Sequence, residues 1–350
     1  MDFIAEILKW YEINKRDLPW RKTKNPYLIW ISEVILQQTR VEQGLPYYYR
    51  FVDHFPTVFA LAEANEQEVL KYWQGLGYYS RARNLHAAAK QIVHDFNGNF
   101  PSDYNDIIKL KGVGHYTASA IASFCFNQKT PVLDGNVYRV ISRIFAINAP
   151  IDKGSSKKVF LEVLQSLIEP YSPALFNQAI MEFGAIQCKP QAPACAVCVV
   201  KEYCLALKNN KVNELPVKAG KTKLKEEYWY YWLIQYKNEL LFRHRSNKGI
   251  WKNMYDFVCI ESTNKLTLNE IYNEQQKQHL FLQKKLKDIN LIEQKVHLLS
   301  HRKLNISFIS ANLTTKVSLP DNYVFKNRVT YKKLPLPKVI ADFLKYKKEW

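Results

Sequence analysis

The sequence predicts a multidomain chain, an all-α part of about two hundred residues followed by a smaller α+β domain. Three observations predict it. A length of 350 residues suggests two domains. Residues 1–208 keep apolar side chains at helical spacing between short turns carrying Pro, Gly, Asn or Asp. The composition then changes at 209–226, a polar, Lys-rich stretch without aromatics, and strand-forming residues dominate beyond it.

The elements follow in order. Ile4, Ile7, Leu8 and Tyr11 form a helical stripe, and Leu18-Pro19-Trp20 ends that segment. Further helical stretches are expected over about 30–42, 57–62, 66–73, 80–96, 103–109, 115–126, 136–146, 155–169 and 173–185. The expected domains are 1–208 and 226–350, with a linker over 209–225. Past the linker, Tyr228 to Tyr236 reads as a strand, Lys237-Asn238 as a turn, and Glu239 to Phe242 as a second strand. Asn305 to Ile309 is another strand candidate. No internal repeat is visible.

Composition narrows the function classes. With 47% hydrophobic residues and 14% aromatics the chain can bury a sizeable core. No run of about 18 apolar residues suggests a membrane span, and the amino terminus is too polar for a signal peptide. A cytoplasmic protein is expected. The net charge of +18 calls for a polyanionic partner or surface. It is uneven: residues 211–350 hold 27 Lys and Arg against 13 Asp and Glu, a net of +14, whereas the preceding residues hold 23 against 19. Spread-out lysine also serves solubility, so charge alone does not decide for nucleic acid.

The strongest local signal is Cys188, Cys195, Cys198 and Cys204 within seventeen residues. In a reducing compartment such clustering favours a metal centre over disulfides. Spacing leaves an iron–sulfur cluster and a four-thiolate zinc site both open, because zinc more often takes two separated Cys-x2-Cys pairs and only one is present. Cys125 and Cys259 sit in apolar surroundings and read as core. A second signal is Gly112-Val113-Gly114 between two helical stretches. Bare backbone N–H groups there can approach a phosphate at a helix amino terminus, although the bland alternative is an ordinary turn. Two carboxylates complete the set. Glu33 lies in Ser32-Glu33-Val34-Ile35-Leu36-Gln37-Gln38-Thr39 with Gln37 and Arg40 on its helical face; alone, it reads as part of a solvated stripe. Asp134 precedes a helix starting near Asn136 and alone reads as an N-cap, a place that favours its ionised form. Capping is compatible with charge stabilisation in a reaction.

These pieces occur together and in order: LPWR at 18–21, SEVILQQTRVE at 32–42, GLGYYSRARNL at 75–85, LKGVGHYTASAI at 110–121, LDGNVYRV at 133–140, NQAIMEFGA at 177–185 and the four-cysteine loop. Their combination resembles the adenine DNA glycosylases (MutY) of the helix–hairpin–helix DNA glycosylase superfamily, across essentially all of residues 1–208. The resemblance implies a helix–hairpin–helix fold, a [4Fe–4S] cluster on Cys188, Cys195, Cys198 and Cys204, and base-excision repair of double-stranded DNA carrying adenine opposite 8-oxoguanine or guanine, by a monomer. It implies Glu33 as general acid, Asp134 as stabiliser of the sugar cation, and Tyr116 and Asn136 as groups that position them. Trp20, Arg21 and Gln178 match residues lining the adenine pocket. Gln38, Thr39, Leu76 and Tyr78 match residues that fill the vacated stack or touch the opposite base, and Gly112 and Gly114 match the phosphate grip.

Residues 245–257 look like the opening of the Nudix-like domain that closes this family. The Glu-rich box of Nudix hydrolases is missing, so pyrophosphate hydrolysis is not expected. Family members sense 8-oxoguanine with a Phe-Ser-His loop, matched here by Leu299-Ser300-His301, which trades a stacking surface for an aliphatic one. An endonuclease III-like lyase would carry a lysine where Tyr116 stands. A non-catalytic DNA-binding module would have no need of Glu33, Asp134 and Tyr116 together.

Overall fold

In the computed structural model, which describes residues 2–220, 224–246 and 249–347, the helical spacing winds α1 (Phe3–Asn14), α2 (Pro26–Leu36), α3 (Val41–His54), α4 (Val58–Glu63), α5 (Glu66–Trp73), α6 (Ser80–Phe96), α7 (Tyr104–Ile107), α8 (His115–Phe126), α9 (Gly135–Ile144), α10 (Ser156–Ile168), α11 (Pro173–Glu182) and α12 (Leu205–Lys208). The later part forms β1 (Lys225–Tyr236), β2 (Glu239–His244), β3 (Tyr255–Ser262), α13 (Leu268–Gln278), β4 (Leu286–Leu298), β5 (Arg302–Leu313), β6 (Tyr323–Asn327), α14 (Arg328–Tyr331) and α15 (Lys338–Tyr346). Residues 221–223 of the expected linker, 247–248 of the stretch 245–257, and 348–350 lie outside the described residues. Among the described residues no helix is long and apolar enough to cross a membrane.

The chain divides into two compact units, Met1–Glu63 with Asn84–Lys221, and Ala64–Arg83 with Thr222–Trp350. In the first, Ile4, Ile7, Val137, Ile141, Phe160, Phe176 and Ile180 share one core. Each such side chain contributes about 1.5–3 kcal/mol on leaving water. Small residues let α8 enter this core closely, and its Thr117 to Ser123 are all buried. α2 packs on α8 and starts on Asn25, whose side chain accepts from the Tyr27 N–H ahead of a proline-led first turn.

The expected helix over 30–42 is broken. α2 ends at Leu36, where the apolar run gives way to Gln37-Gln38-Thr39-Arg40, and Gln38 turns left-handed at φ 56°. A new helix, α3, follows from Val41 despite Pro46 inside it, because buried Tyr48 and Phe51 anchor it to the core. Proline reads as a breaker in sequence, and tertiary packing overrides it here.

The second unit is built on a mixed sheet ordered β4-β5-β1-β3-β2-β6, with β1 and β5 parallel and the remaining neighbours antiparallel. β1 is central and buried continuously from Trp229 to Ile234. α13 starts in a capping box between Thr267 and Glu270. α15 stacks Phe343 on Phe308 of β5 at 4.0 Å between ring centroids. The segment 64–83 is helical like its sequence neighbours, yet belongs to this unit. Gln67 donates to the Asn253 carbonyl at 2.8 Å, Lys71 to that of Leu334 at 3.0 Å, and Gln74 accepts from the Leu336 N–H at 3.1 Å.

One carboxylate anchors the sheet. Asp256, fully buried, accepts from Arg243 Nε and NH2 at 3.0 and 2.9 Å and from Arg245 NH1 at 2.8 Å. Replacing it by alanine leaves the two largely buried guanidiniums with Glu261, 42% exposed, as their remaining acidic partner among the described residues, and breaking such a network costs about 3–5 kcal/mol. Asp256→Ala should therefore lower the unfolding transition of the second unit in a denaturant titration. A transition at the wild-type midpoint contradicts this role.

Candidate active site

Glu33 sits on the most apolar helix of the first unit, between Ile29, Trp30, Ile31, Val34 and Ile35, and only 5% of it is exposed. The solvated-stripe reading fails because α8 covers this face. Tyr116, in the first turn of α8, donates through Oη to Glu33 Oε2 at 2.6 Å. Burial pushes the Glu33 carboxyl up to about 7; the tyrosine bond opposes that push, Asp134 adds to it, and Arg21 opposes it. Tyr116 itself stays a neutral donor, its pKa raised by burial and by the neighbouring carboxylates.

Asp134 faces the same cavity from the start of α9. Its Oδ1 accepts from the backbone N–H groups of Asn136 and Val137 at 2.9 and 2.8 Å, and its Oδ2 from Asn136 Nδ2 at 2.9 Å. Sequence considers only the helix start, which favours the anion; the structure adds burial, which pushes this carboxyl above its ordinary value against those donors and Arg139. Three N–H groups aimed at it have no better acceptor than a carboxylate.

The support of Asp134 reaches further. Arg139 donates to Asn136 Oδ1 at 2.8 Å, to the Gly184 carbonyl at 2.7 Å and to the Cys188 carbonyl at 2.7 Å. Gly184 permits the approach: a Cβ there would stand 2.7 Å from that of Asn136.

The shared cavity, of about 470 Å3, is large enough for a nucleobase and is walled by Glu33, Tyr116, Asp134 and Asn136, with Trp20, Arg21, Thr39 and Gln178 also lining it. Tyr11 Oη donates to Gln178 Oε1 at 2.9 Å, which leaves the amide N–H groups for the cavity. Gln38 is not among the lining residues. Sequence reasoning passed over Arg16 and Glu182. The nearly fully buried Glu182 lies four residues after Gln178 and so shares its helix face, a spacing that could have flagged it.

Leu76, Tyr78 and Ser300 lie together elsewhere, around a cavity of about 400 Å3 in the second unit that Leu299, His301 and Trp251 also line. The Tyr78 and Ser300 hydroxyls hydrogen-bond there. Trp251 was visible in sequence only as part of a family stretch.

The two hairpin glycines differ. Gly112 has φ 76°, and a Cβ on it would meet Asn84 at 2.4 Å, so the fold itself requires it. A Cβ at Gly114 would meet nothing within 4 Å among the described residues, so none of them demands that this helix start be bare.

Cys188, Cys195, Cys198 and Cys204 ring one small hollow otherwise lined mainly by apolar side chains such as Val140, Ile144, Phe183 and Leu207. None is in a disulfide. Arg143 NH1 lies 3.3 Å from Cys188 Sγ and also donates to the Lys189 carbonyl at 2.8 Å. Among the described residues no group of three or more Cys, His, Asp or Glu is arranged to hold a single metal ion. Cys259 is buried as expected of a core residue, while Cys125 is only partly so, with burial pushing its thiol to about 12.

Residues 31–166 match the model of the HhH-GPD superfamily of base excision DNA repair proteins, and residues 230–346 match that of the NUDIX domain. An adenine DNA glycosylase of Buchnera aphidicola subsp. Baizongia pistaciae is 37% identical over 342 residues, spanning 97% of this chain and 93% of that protein. Among solved structures, a thermostable thymine-DNA glycosylase is 29% identical with a TM-score of 0.55, over 59% of this chain and 95% of its own. Endonuclease III in a non-covalent complex with DNA shares the fold at 23% identity and a TM-score of 0.51, over 59% of this chain and 94% of its own. A helix–hairpin–helix glycosylase region followed by a Nudix-like domain, with identity sustained along nearly the whole length, places the chain in the adenine DNA glycosylase family of base-excision repair hydrolases.

Proposed function

We propose that this glycosylase removes adenine mispaired with 8-oxoguanine or guanine in double-stranded DNA, hydrolysing the N-glycosidic bond to leave an abasic site. The observation that carries the reading is a protonatable buried acid, Glu33, facing a hydrogen-bonded carboxylate, Asp134, across a nucleobase-sized cavity.

A stacked base cannot be reached, so adenine must be extruded at a cost of roughly a few kcal/mol, less at a mispair. Neutral adenine leaves poorly. Protonation at N7 by Glu33 draws the glycosidic electrons into the base, and the sugar becomes oxocarbenium-like. The charge on Asp134 stabilises that cation, and Glu33, now ionised, accepts a proton from the attacking water. Trp20 offers the base an aromatic wall, Gln178 offers amide donors, and Tyr116 and Asn136 hold the two carboxyls. With tyrosine at 116 there is no amine for a Schiff base, which favours a monofunctional glycosylase over a lyase.

On this reading the first unit carries the catalysis, with most of the expected linker 209–225 packed on it through Leu215, and the second unit, Leu76 and Tyr78 included, senses the opposite base around Ser300. Gln38 and Thr39 fill the vacated stack. Gly112 and Gly114 grip phosphate without reading sequence, and the basic second half adds salt-dependent affinity. The four cysteines fit a [4Fe–4S] cluster: they converge on one hollow lined mainly by apolar side chains, and Arg143 NH1 lies 3.3 Å from Cys188 Sγ. When bound, the cluster supplies iron–thiolate bonds that close the loop which Arg139 ties to Asn136.

Glu33→Gln should abolish adenine release in a single-turnover assay while duplex binding survives; wild-type release by this variant refutes the assignment. Glu33 must be protonated to donate, so the wild-type rate should fall as pH rises through about 7. Tyr116 stabilises the Glu33 anion, so Tyr116→Phe should move that fall to higher pH, by on the order of one unit. A fall at unchanged or lower pH contradicts it. Leu299→Phe should restore a stacking surface and raise the preference for 8-oxoguanine over guanine opposite adenine roughly fivefold or more, measured as the ratio of duplex affinities. An unchanged ratio argues against the second cavity as the reader.

A further inference from the structure

One carboxylate in the candidate site does more than its place in the cavity wall requires. Glu182 is 1% exposed. Its Oε1 accepts from the Arg16 backbone N–H at 2.9 Å, Arg16 Nε at 2.8 Å and Arg21 NH1 at 3.1 Å. Its Oε2 accepts from Arg16 NH2 at 2.7 Å and Arg21 NH2 at 2.8 Å. Two guanidiniums thus fork onto one buried carboxylate, and both belong to the wall of the cavity that Glu33 faces. Burial would raise the Glu182 carboxyl, but the bonds from Arg16 and Arg21 outweigh it and draw it down to about 2, so the anion is permanent near neutral pH.

We propose that Glu182 is a positioning residue that holds Arg16 and Arg21 in place and keeps the positive charge of Arg21 from ionising the proton donor Glu33. The inference rests on Glu33 serving as that donor. Arg21 acts on Glu33 through the cavity, favouring the carboxylate. The other groups facing Glu33 are Tyr116 and Cys125 from α8 and Asp134 ahead of α9. Arg40 and Glu42 at the start of α3 and Arg139 of α9 complete the charged lining. Glu42 lies 4.0 Å from Arg16 NH1 and is largely exposed, and Arg139 is engaged with Asn136 and two carbonyls. Without Glu182 the Arg16–Arg21 pair would pass from a net +1 to +2. Arg21 would keep only its bond to the Arg16 carbonyl, at 3.0 Å, of those it makes here. A purely architectural Glu182 would tie the stretch after α1 to α11 and leave the acid's proton affinity alone.

The two roles separate by titration. The Glu33 carboxyl is followed by 13C NMR in glutamate-labelled protein, assigned with Glu33→Gln, beside the pH profile of adenine release. Glu182→Gln should lower the Glu33 midpoint and the alkaline limb of the profile together, by about one pH unit. Its rate would then fall about tenfold relative to wild type above the limb and little below it. Glu182→Asp, which keeps the charge, should return the midpoint toward the wild-type value. Adding Arg21→Gln to Glu182→Gln should return it as well, although the maximal rate stays low. A rate lost equally at every pH, or an unmoved midpoint, overturns the proposal. Should Glu182→Gln fail to fold, Arg21→Gln alone must raise the Glu33 midpoint, and an unchanged one is equally fatal. Because the NMR midpoint needs no substrate, a wild-type protein that releases no adenine condemns the functional reading while leaving the charge argument separately decided.

Discussion

Two carboxyl groups on one desolvated cavity cannot both be ionised cheaply, and the first unit is organised around making them differ. The difference is made by local structure. Glu33 lies mid-helix on an apolar segment, where backbone N–H groups are already spent within the helix and only a tyrosine hydroxyl is offered. Asp134 lies just ahead of a helix, where N–H groups are unspent and two of them reach its oxygen. One site therefore favours the acid and the other the anion, although both are buried. Exchanging the two residues would not preserve the arrangement, because the positions carry the asymmetry.

That asymmetry depends on how the start of α9 is held. Asn136 both donates to Asp134 and accepts from Arg139, whose remaining donors reach the carbonyls of Gly184 and Cys188. The anion is thus braced by the turn after α11 and by the first cysteine of the loop. Gly184 is small because Asn136 occupies the space its Cβ would take. Overpacking of this kind typically costs about 1–3 kcal/mol, and it would fall on the contact that orients the Asp134 donors. Loop order and the geometry of the candidate site are in this sense one structural problem.

Much of this was legible in the sequence, and the boundary between what was and was not has physical causes. Helices α8, α9 and α10 were plain because small or apolar residues recur at helical spacing between turn formers. Asp134 was legible as a cap, since capping is local. The burial of Glu33 was not, because it is imposed by α8, about eighty residues away. α3 was hidden by Pro46, and β4 by its solvent exposure, which leaves little alternation to read. Glu182 could be placed on the face of Gln178 by its spacing, but its pairing with Arg16 and Arg21 could not be read, because they lie more than 160 residues distant. The segment 64–83 gives no sign in its composition that it belongs with the second unit, since that membership rests on side chains reaching single carbonyls there. The family resemblance supplied roles for several residues that no periodicity could have given.

The uneven charge of the chain acquires a reason from the same chemistry. A protein that works on a polyanion gains affinity from every lysine and arginine near phosphate. On the proposed reading, a first unit crowded with cations would nevertheless favour the ionised form of Glu33 and so weaken it as a donor at neutral pH. Residues 1–210 carry a net charge of only +4, and the two arginines on the cavity wall at positions 16 and 21 are matched by a buried glutamate. The remaining +14 resides in residues 211–350, nearly all of them in the second unit. Exposed charges are screened within about 8–10 Å at physiological salt. An exposed cation therefore acts mainly on groups within that range. On the proposed reading, matching the cavity-wall arginines with a buried glutamate is what allows a strongly basic chain to keep a carboxylic acid protonated beside them.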